Sequence, residues 1–163
     1  MRIVNFEDHH GPEALAIYAQ GVQGRNATFE TEVPDFITWK KKFHPHLFWV
    51  AMDDNGKVMG WAALQPVSNR KVYEGVVEVT IYIDQLFAGM GIGSALMSHL
   101  IDKSEEAGIW TLYSSIFPEN IASIRLHRKH GFREIGYREK IGQIDGVWRN
   151  TVLFERRSKK AGV

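Results

Sequence analysis

The pattern of apolar and polar residues divides the chain into short strands and amphipathic helices. Residues 76–83 are β-branched or aromatic with one charge among them, which is typical of a strand buried on both faces. From Ile92 onwards apolar residues recur every three or four positions, as on one face of a helix. A turn at residues 84–88 and a stretch with three glycines at residues 89–93 lie between them. The order is therefore strand, glycine loop, helix.

The rest of the chain carries the same two kinds of pattern. Further strands are predicted over residues 2–5, 48–52, 58–64, 110–117, 132–144 and 147–154, and further helices over residues 12–22, 34–43 and 120–130. Asn55-Gly56 and Asp145-Gly146 are strong hairpin-turn signals. Together these elements predict an α/β fold with a mixed central sheet of six to seven strands flanked by about four helices. At this length we expect residues 1–163 to form a single domain.

Composition excludes several classes of function. Twenty basic and nineteen acidic residues leave a net charge of +1, so no overall field attracts nucleic acid. The absence of cysteine excludes disulfides, a thiol nucleophile and a thiolate metal site. The first residues become polar too soon for a signal peptide, and no apolar run reaches membrane-spanning length. We expect a cytoplasmic protein without nucleic-acid or membrane partners.

The glycine loop predicts an anion site. The first N–H groups of a helix have no internal partner and carry a partial positive charge. Glycines just before them allow left-handed torsions and let a phosphate approach the main chain. The alternative is a tight strand-to-helix turn whose glycines only relieve crowding. A Walker A lysine is missing, and Ser94 stands at the third glycine position of a dinucleotide fingerprint, so both of those motifs match weakly.

The spacing of Gly91 and Gly93 resembles the acetyl-CoA loop of the GNAT N-acetyltransferase superfamily, [RQ]-x-x-G-x-[GA]. Ala88 stands where that loop has Arg or Gln, which removes a side-chain contact to phosphate and leaves the main-chain cradle. Residues 120–132, with the pattern N-x-x-S-x-x-L-H-x-x-H-G-F, also look like a GNAT segment. The resemblance implies a GNAT fold and acetyl-CoA as the co-substrate.

Within that superfamily the chain is similar to the phosphinothricin and methionine sulfoximine N-acetyltransferases. The similarity lies in residues 27–32, the pair Arg70 and Tyr73, residues 77–83 and residues 145–148. It implies transfer of an acetyl group to the α-amine of a small amino-acid-like molecule, by direct attack in a ternary complex. It also implies a homodimer. Asn150 departs from the pattern, because the group usually has aspartate there.

Glu78 is the candidate general base. It is an isolated carboxylate in an apolar strand just before the glycine loop, and burial would raise its pKa towards a useful value. It would take the amine proton directly or through a water. The alternative is a carboxylate at the rim that pairs with a neighbouring Arg or Lys.

His127 is the candidate general acid for the leaving thiolate, since a histidine pKa suits proton transfer near neutrality. Many GNAT enzymes have tyrosine at this position, whereas the phosphinothricin group tends to histidine. The alternative is a core histidine whose nitrogens are satisfied by the backbone.

The resemblance also implies a set of donor-binding residues. The backbone of Ile81, Tyr82 and Ile83 would pair with the pantetheine amides of acetyl-CoA. Asn120 resembles a pantetheine-contacting asparagine, or is only a helix cap. The residues that would hold the pyrophosphate are Gly89, Met90, Gly91, Ile92, Gly93 and Ser94.

An amino-acid substrate brings a carboxylate that needs a cation. Arg70 is the best-placed candidate, with Lys71 and Tyr73 beside it, because an arginine binds a carboxylate in bidentate fashion. The alternative is an exposed loop arginine. The residues expected on the opposite wall of the pocket are Thr28, Phe29 and Glu30.

No metal is expected, because the histidine pairs lack the three or four clustered ligands that zinc requires. Three other functions stay open at this point. One is acetylation of a peptide N-terminus or another small amine, one is a non-catalytic acyl-CoA sensor, and one is a pure interaction domain.

Overall fold

The computed structural model describes all 163 residues and contains one mixed sheet with helices on both faces. The seven strands are β1 (Arg2–Asn5), β2 (Phe48–Met52), β3 (Val58–Pro66), β4 (Val76–Ile83), β5 (Thr111–Ile116), β6 (Arg133–Ile144) and β7 (Val147–Arg157). The four helices are α1 (Gly11–Gly24), α2 (Phe36–Lys40), α3 (Ile92–Glu106) and α4 (Ile121–Lys129). None of these helices is both long and apolar enough to cross a membrane.

The strand order is β1-β2-β3-β4-β5-β7-β6. Every neighbouring pair is antiparallel except β4 and β5, which run parallel. The connection from β4 to β5 contains α3, as a parallel crossover requires. The predicted α/β class, with seven strands and four helices, is confirmed.

Helix α2 is shorter than its sequence pattern predicted. Asp35 caps its first turn, with the Thr38 N–H donating to Oδ1 at 3.0 Å. After Lys40 the chain tightens, since the N–H groups of residues 42 and 43 donate to carbonyls three residues back. The His44 N–H then donates to the Leu64 carbonyl at 2.7 Å and draws the chain onto β3. Tertiary hydrogen bonding therefore ends the helix before its apolar pattern does.

Two apolar clusters lie on the two faces of the sheet. On one face, α3 and α4 pack on alternate residues of β4, including Val77 and Val79. On the other face, α1 and α2 pack against the sheet around Trp39 of α2 and Trp61 of β3, and Tyr82 of β4 belongs to this side. This alternation assigns every β4 side chain to one helix layer or the other.

The end of β7 is fastened to α3 by one buried carboxylate. The Glu105 side chain, 7% exposed, accepts hydrogen bonds from Arg156 at 3.0 Å and Ser158 at 2.9 Å, and Lys160 lies at 3.3 Å. Burial alone would raise the pKa of Glu105, but these three donors outweigh it and hold the pKa below its usual value. The carboxylate is therefore ionised at neutral pH and stabilises the fold.

Glu105→Gln should lower the free energy of unfolding by about 1–2 kcal/mol at pH 7, because it removes charge-assisted hydrogen bonds. The lowered folded-state pKa makes this stabilisation present above the unfolded pKa of about 4.3 and lost as the pH falls through the folded-state value. The difference between wild type and variant, measured by urea denaturation, should therefore shrink below about pH 4. Glu106→Gln is the matched control, since Glu106 is exposed and pairs only with Lys103. An equal loss in both variants would contradict the assignment.

Candidate active site

The sheet opens between β4 and β5. The two strands pair only from Val76 to Glu78, opposite Thr111 to Tyr113. Beyond that point β4 stays paired with β3 as far as Ile83, whereas β5 follows β7 as far as Ile116. A wedge-shaped cleft therefore begins directly after Glu78.

The open edge of β4 presents unpaired backbone groups to this cleft. Backbone groups in an antiparallel pair point alternately towards the partner strand and away from it. The Asp84 N–H donates to the Met59 carbonyl, which sets the alternation so that Tyr82 faces β3 and its two neighbours face the cleft. The amides of Ile81 and Ile83 are therefore free to pair with an extended ligand. The Tyr82 backbone is already used within the sheet.

A cavity of about 1050 Å³ occupies the cleft and runs under α1 and α4. A second cavity of about 550 Å³ adjoins it on the side of β6 and β7. Both are lined by Phe29, Glu78, Ser115 and Thr151. Two buried polar atoms on these walls, Nε1 of Trp39 and Oγ1 of Thr151, have no hydrogen-bond partner within the protein.

The glycine loop forms a row of free N–H groups at the N-terminus of α3. Gly89 and Gly91 have φ angles of +76° and +81°, which glycine adopts without strain, and a side chain at either position would meet only open space. None of the N–H groups of residues 89–94 donates to an acceptor in the protein. Gly91 is the N-cap and provides no side-chain cap. This row is suited to a phosphate or pyrophosphate group.

Ser94 and His130 tie the glycine loop to α4. The Ser94 hydroxyl lies 2.9 Å from Nε2 of His130, which follows the last turn of α4. Burial lowers the pKa of His130, with neighbouring Lys129 and Arg156 acting in the same direction. Among all 163 residues no group of three or more His, Cys, Asp or Glu side chains is placed to hold a metal ion.

Glu78 lies at the point where β4 and β5 separate. Gln65, its cross-strand partner on β3, donates to Oε2 at 3.2 Å. No Lys, Arg or His side chain lies within 4.0 Å of the carboxylate, so the rim ion pair considered above does not form. Burial raises the pKa of Glu78, and the Gln65 hydrogen bond offsets only part of this. The carboxylate is therefore a stronger base than an exposed glutamate.

His127 is buried on the opposite face of the sheet. Its Nδ1 lies 2.7 Å from the Ser123 carbonyl, which only accepts hydrogen bonds, so Nδ1 carries the proton. Nε2 then accepts from the Ser114 hydroxyl at 2.8 Å. Burial lowers the pKa of His127 below 6.5, and the resting imidazole is neutral. The ring lines the cavity, but both nitrogens already have partners.

Asn120 has two structural contacts. Its Oδ1 accepts from the Ser123 N–H at 3.2 Å and caps α4, and its Nδ2 donates to the Asn26 carbonyl at 3.1 Å. Arg149 holds the same loop, donating to the Arg25 carbonyl at 2.7 Å with its guanidinium 4.2 Å from the Phe117 ring centroid. These contacts fix residues 25–30 against the cleft.

The predicted substrate residues separate into two groups. Thr28, Phe29 and Glu30 line the larger cavity, and Phe29 packs edge-on against Phe117. Arg70, Lys71 and Tyr73 line neither cavity. They form an exposed turn before β4, where the Arg70 guanidinium stacks over Tyr73 at 5.2 Å.

Sequence reasoning missed the contribution of β6 and β7. Arg138 and Thr151 both line the smaller cavity beside Glu78. The hairpin itself was indicated by Asp145-Gly146. Alternation along each strand indicates which of its side chains share a face of the sheet. The missing information was the register, because β6 contains an irregularity between Arg138 and Gly142 that no local signal predicts.

Comparisons with known proteins agree with this geometry. An L-methionine sulfoximine/L-methionine sulfone acetyltransferase of Pseudomonas aeruginosa is 31% identical over 151 residues, which is 88% of this chain and 87% of that protein. The crystal structure of a GNAT superfamily phosphinothricin acetyltransferase from Sinorhizobium meliloti, in complex with acetyl-CoA, matches with a TM-score of 0.90 at 27% identity and covers 99% of this chain and 90% of its own. The crystal structure of a ribosomal-protein-alanine N-acetyltransferase from Brucella melitensis matches with a TM-score of 0.88 at 28% identity. The match covers 97% of this chain and 100% of that chain.

The model of the acetyltransferase (GNAT) family matches residues 15–132, well over half of the chain. The matched span includes the open edge of β4, the glycine loop, α3 and the whole of α4. The chain therefore belongs to the GNAT acetyltransferase family and is an acetyltransferase whose acetyl donor is acetyl-CoA.

Proposed function

We propose that this enzyme acetylates the α-amine of a small amino-acid-like substrate such as phosphinothricin, methionine sulfoximine or methionine sulfone. The observation that carries the proposal is the position of Glu78, a partly buried carboxylate without an ion-pair partner, between the donor cleft and a small second cavity. The similarity to acetyltransferases of these compounds supports the choice of substrate. Acetyl transfer proceeds by direct attack of the amine in a ternary complex.

Acetyl-CoA binds along the open edge of β4 in this proposal. Its pyrophosphate accepts hydrogen bonds from the N–H groups of residues 89–94, and its pantetheine amides pair with Ile81 and Ile83. The thioester then reaches the point where β4 and β5 separate, close to Glu78. A free backbone N–H on this edge polarises the thioester carbonyl as negative charge develops on its oxygen.

Glu78 removes the amine proton. An α-amine with a pKa near 8 is only about one-tenth neutral at pH 7. Deprotonation of the bound amine in the ground state can therefore raise the rate by at most about tenfold. Holding the amine against the thioester carbon accounts for much of the remaining rate. The raised pKa of Glu78 keeps its basicity closer to neutrality than that of an exposed glutamate.

Glu78→Gln should reduce kcat/KM at pH 7 by roughly 100-fold, the usual size of a general-base contribution. Acetyl-CoA affinity, measured by calorimetry, should be unchanged. As the pH rises above the amine pKa, solution supplies the neutral amine and the deficit should shrink by about tenfold. In the wild type, kcat/KM should fall as the pH drops through the raised pKa and the carboxylate protonates. A pH-independent deficit would show that Glu78 has another role.

His127 protonates the leaving thiolate in one version of this mechanism. The imidazole ring is neutral and both of its nitrogens are hydrogen-bonded, which instead favours a positioning role that holds Ser114 and α4 in place. If His127 were the acid, its lowered pKa would make kcat begin to decline below pH 6.5. The decline would continue at higher pH, because the protonated fraction of the ring keeps falling. We expect kcat to stay flat between pH 6.5 and 8, and His127→Gln to lower thermal stability more than kcat. A kcat that declines with rising pH in the wild type and not in the variant would restore the acid role.

The decisive experiment is free-thiol release from acetyl-CoA across a panel of amines. The panel contains phosphinothricin, methionine sulfoximine, methionine sulfone, ordinary amino acids, polyamines and alanine-initiated peptides. We expect turnover with the first three compounds, at a kcat/KM at least about tenfold above that of ordinary amino acids. Donor binding without any turnover would replace the proposal with an acyl-CoA sensor.

Acetylation of a protein N-terminus is the second candidate, because the Brucella melitensis ribosomal-protein-alanine enzyme has a similar fold. A peptide acceptor needs an open groove, whereas the second cavity here is closed on one side by Phe29 and the β6 irregularity. Turnover confined to the alanine-initiated peptides would establish this candidate instead.

We also propose a homodimer in which the exposed apolar residues of edge strand β6, Ile135, Tyr137 and Ile141, are covered.

A further inference from the structure

We propose that Arg138 and Thr151 form the site that holds the carboxylate of the amino-acid substrate beside Glu78. The inference rests on the proposed function, since it names the group that selects an α-amino acid among small amines. It assigns the anion-binding role to the hairpin of β6 and β7, in place of the Arg70 turn.

The two residues face each other across the hairpin. Arg138 and Thr151 are direct partners in the antiparallel register, so their side chains emerge side by side on the same face. That face is also the one on which Glu78 lies, because the neighbouring Val152 belongs to the opposite cluster. Arg138, Thr151 and Glu78 all line the cavity of about 550 Å³.

Both side chains have unused hydrogen-bonding capacity. Thr151 is 3% exposed and its Oγ1 has no partner, although a buried hydroxyl is usually hydrogen-bonded. Arg138 forms no ion pair and no side-chain hydrogen bond. Of the other arginines of this hairpin, Arg133, Arg149 and Arg156 bind Glu155, Glu119 and Glu105, and Arg157 donates to backbone carbonyls of residues 158–162. Arg138 is therefore the arginine of the hairpin whose side chain is free for a ligand, and it lines the smaller cavity, which Lys140 does not.

The irregular part of β6 shapes the cavity wall. Between Arg138 and Gly142 the register slips, and Lys140 adopts a φ of +46°. Asn150 holds this conformation by accepting from the Lys140 N–H at 2.7 Å. Gly142 then lies so close to Phe29 that an added Cβ would come within 2.8 Å of the ring. The contact forms one wall of the cavity beside Arg138, whose side chain stays accessible to solvent.

The chemistry of the cavity matches an α-amino acid. A carboxylate brought near Glu78 is repelled by its like charge, and an adjacent guanidinium offsets that repulsion. Arg138 provides a fork of donors, and the Thr151 hydroxyl donates a further hydrogen bond. With the carboxylate held there, the α-amine is directed towards Glu78 and the donor cleft.

The test is calorimetric titration of methionine sulfoximine into the protein saturated with CoA, which reports binding without turnover. Arg138→Gln should weaken binding by about tenfold or more, as expected for loss of a charged hydrogen-bonding pair. Arg138→Lys should retain part of the affinity. Thr151→Val should weaken binding several-fold, and Thr151→Ser, which keeps the hydroxyl, should restore it. Arg2→Gln, an exposed cation on β1 at the far edge of the sheet, is the matched control.

The decarboxylated analogue of methionine sulfoximine completes the test. Its affinity should be low in the wild type and should not change with Arg138→Gln. Loss of binding in Arg70→Gln but not in Arg138→Gln would overturn the inference, as would a wild type that does not bind the amino acid. Arg138-dependent binding without acetyl transfer would overturn the proposed function and leave this inference standing.

Discussion

The separation of β4 from β5 immediately after Glu78 is the constraint on which the rest of the site depends. Each strand keeps its other partner, β3 or β7, so the sheet remains intact while one internal edge opens. Because a buried strand edge must satisfy its backbone groups, the opening calls for an extended ligand that replaces the missing strand. In the binding mode proposed above, the amides of acetyl-CoA meet that need, and the free N–H groups of residues 89–94 receive its phosphates.

The two faces of the sheet divide the chemical work. Glu78 and the hairpin residues Arg138 and Thr151 lie on the side of α1 and α2, whereas His127 lies on the side of α4. In the proposed mechanism the acceptor amine therefore reaches the thioester of acetyl-CoA from the side of α1 and α2, at the gap between the two strands. This arrangement gives Glu78 a cavity large enough for a small amine, and it encloses His127 in a network with Ser114 and Ser123 that favours the neutral ring.

Local signals in the sequence were enough for the strands, for most of the helices and for the glycine loop before α3. Gly89, Gly91 and Gly93 predict the loop, and the single charge within residues 76–83 singles out Glu78. Both signals involve only residues that are close together in sequence. The acceptor side depends on long-range register. Arg70 precedes the central strand and resembles a family position, yet it lies outside both cavities. Arg138 reaches the smaller cavity through a slip in β6 that depends on Asn150 and Phe29, residues distant in sequence.

Residue-resolved amide hydrogen exchange with and without acetyl-CoA tests the central claim most directly, because exchange reports each N–H separately. If acetyl-CoA replaces the missing strand, the N–H groups of Ile81, Ile83 and residues 89–94 gain protection when it binds. The Tyr82 N–H faces β3 and should keep the protection it already has. Saturation with acetyl-CoA that leaves Ile81 and Ile83 unprotected would contradict the account and place the donor elsewhere on the sheet.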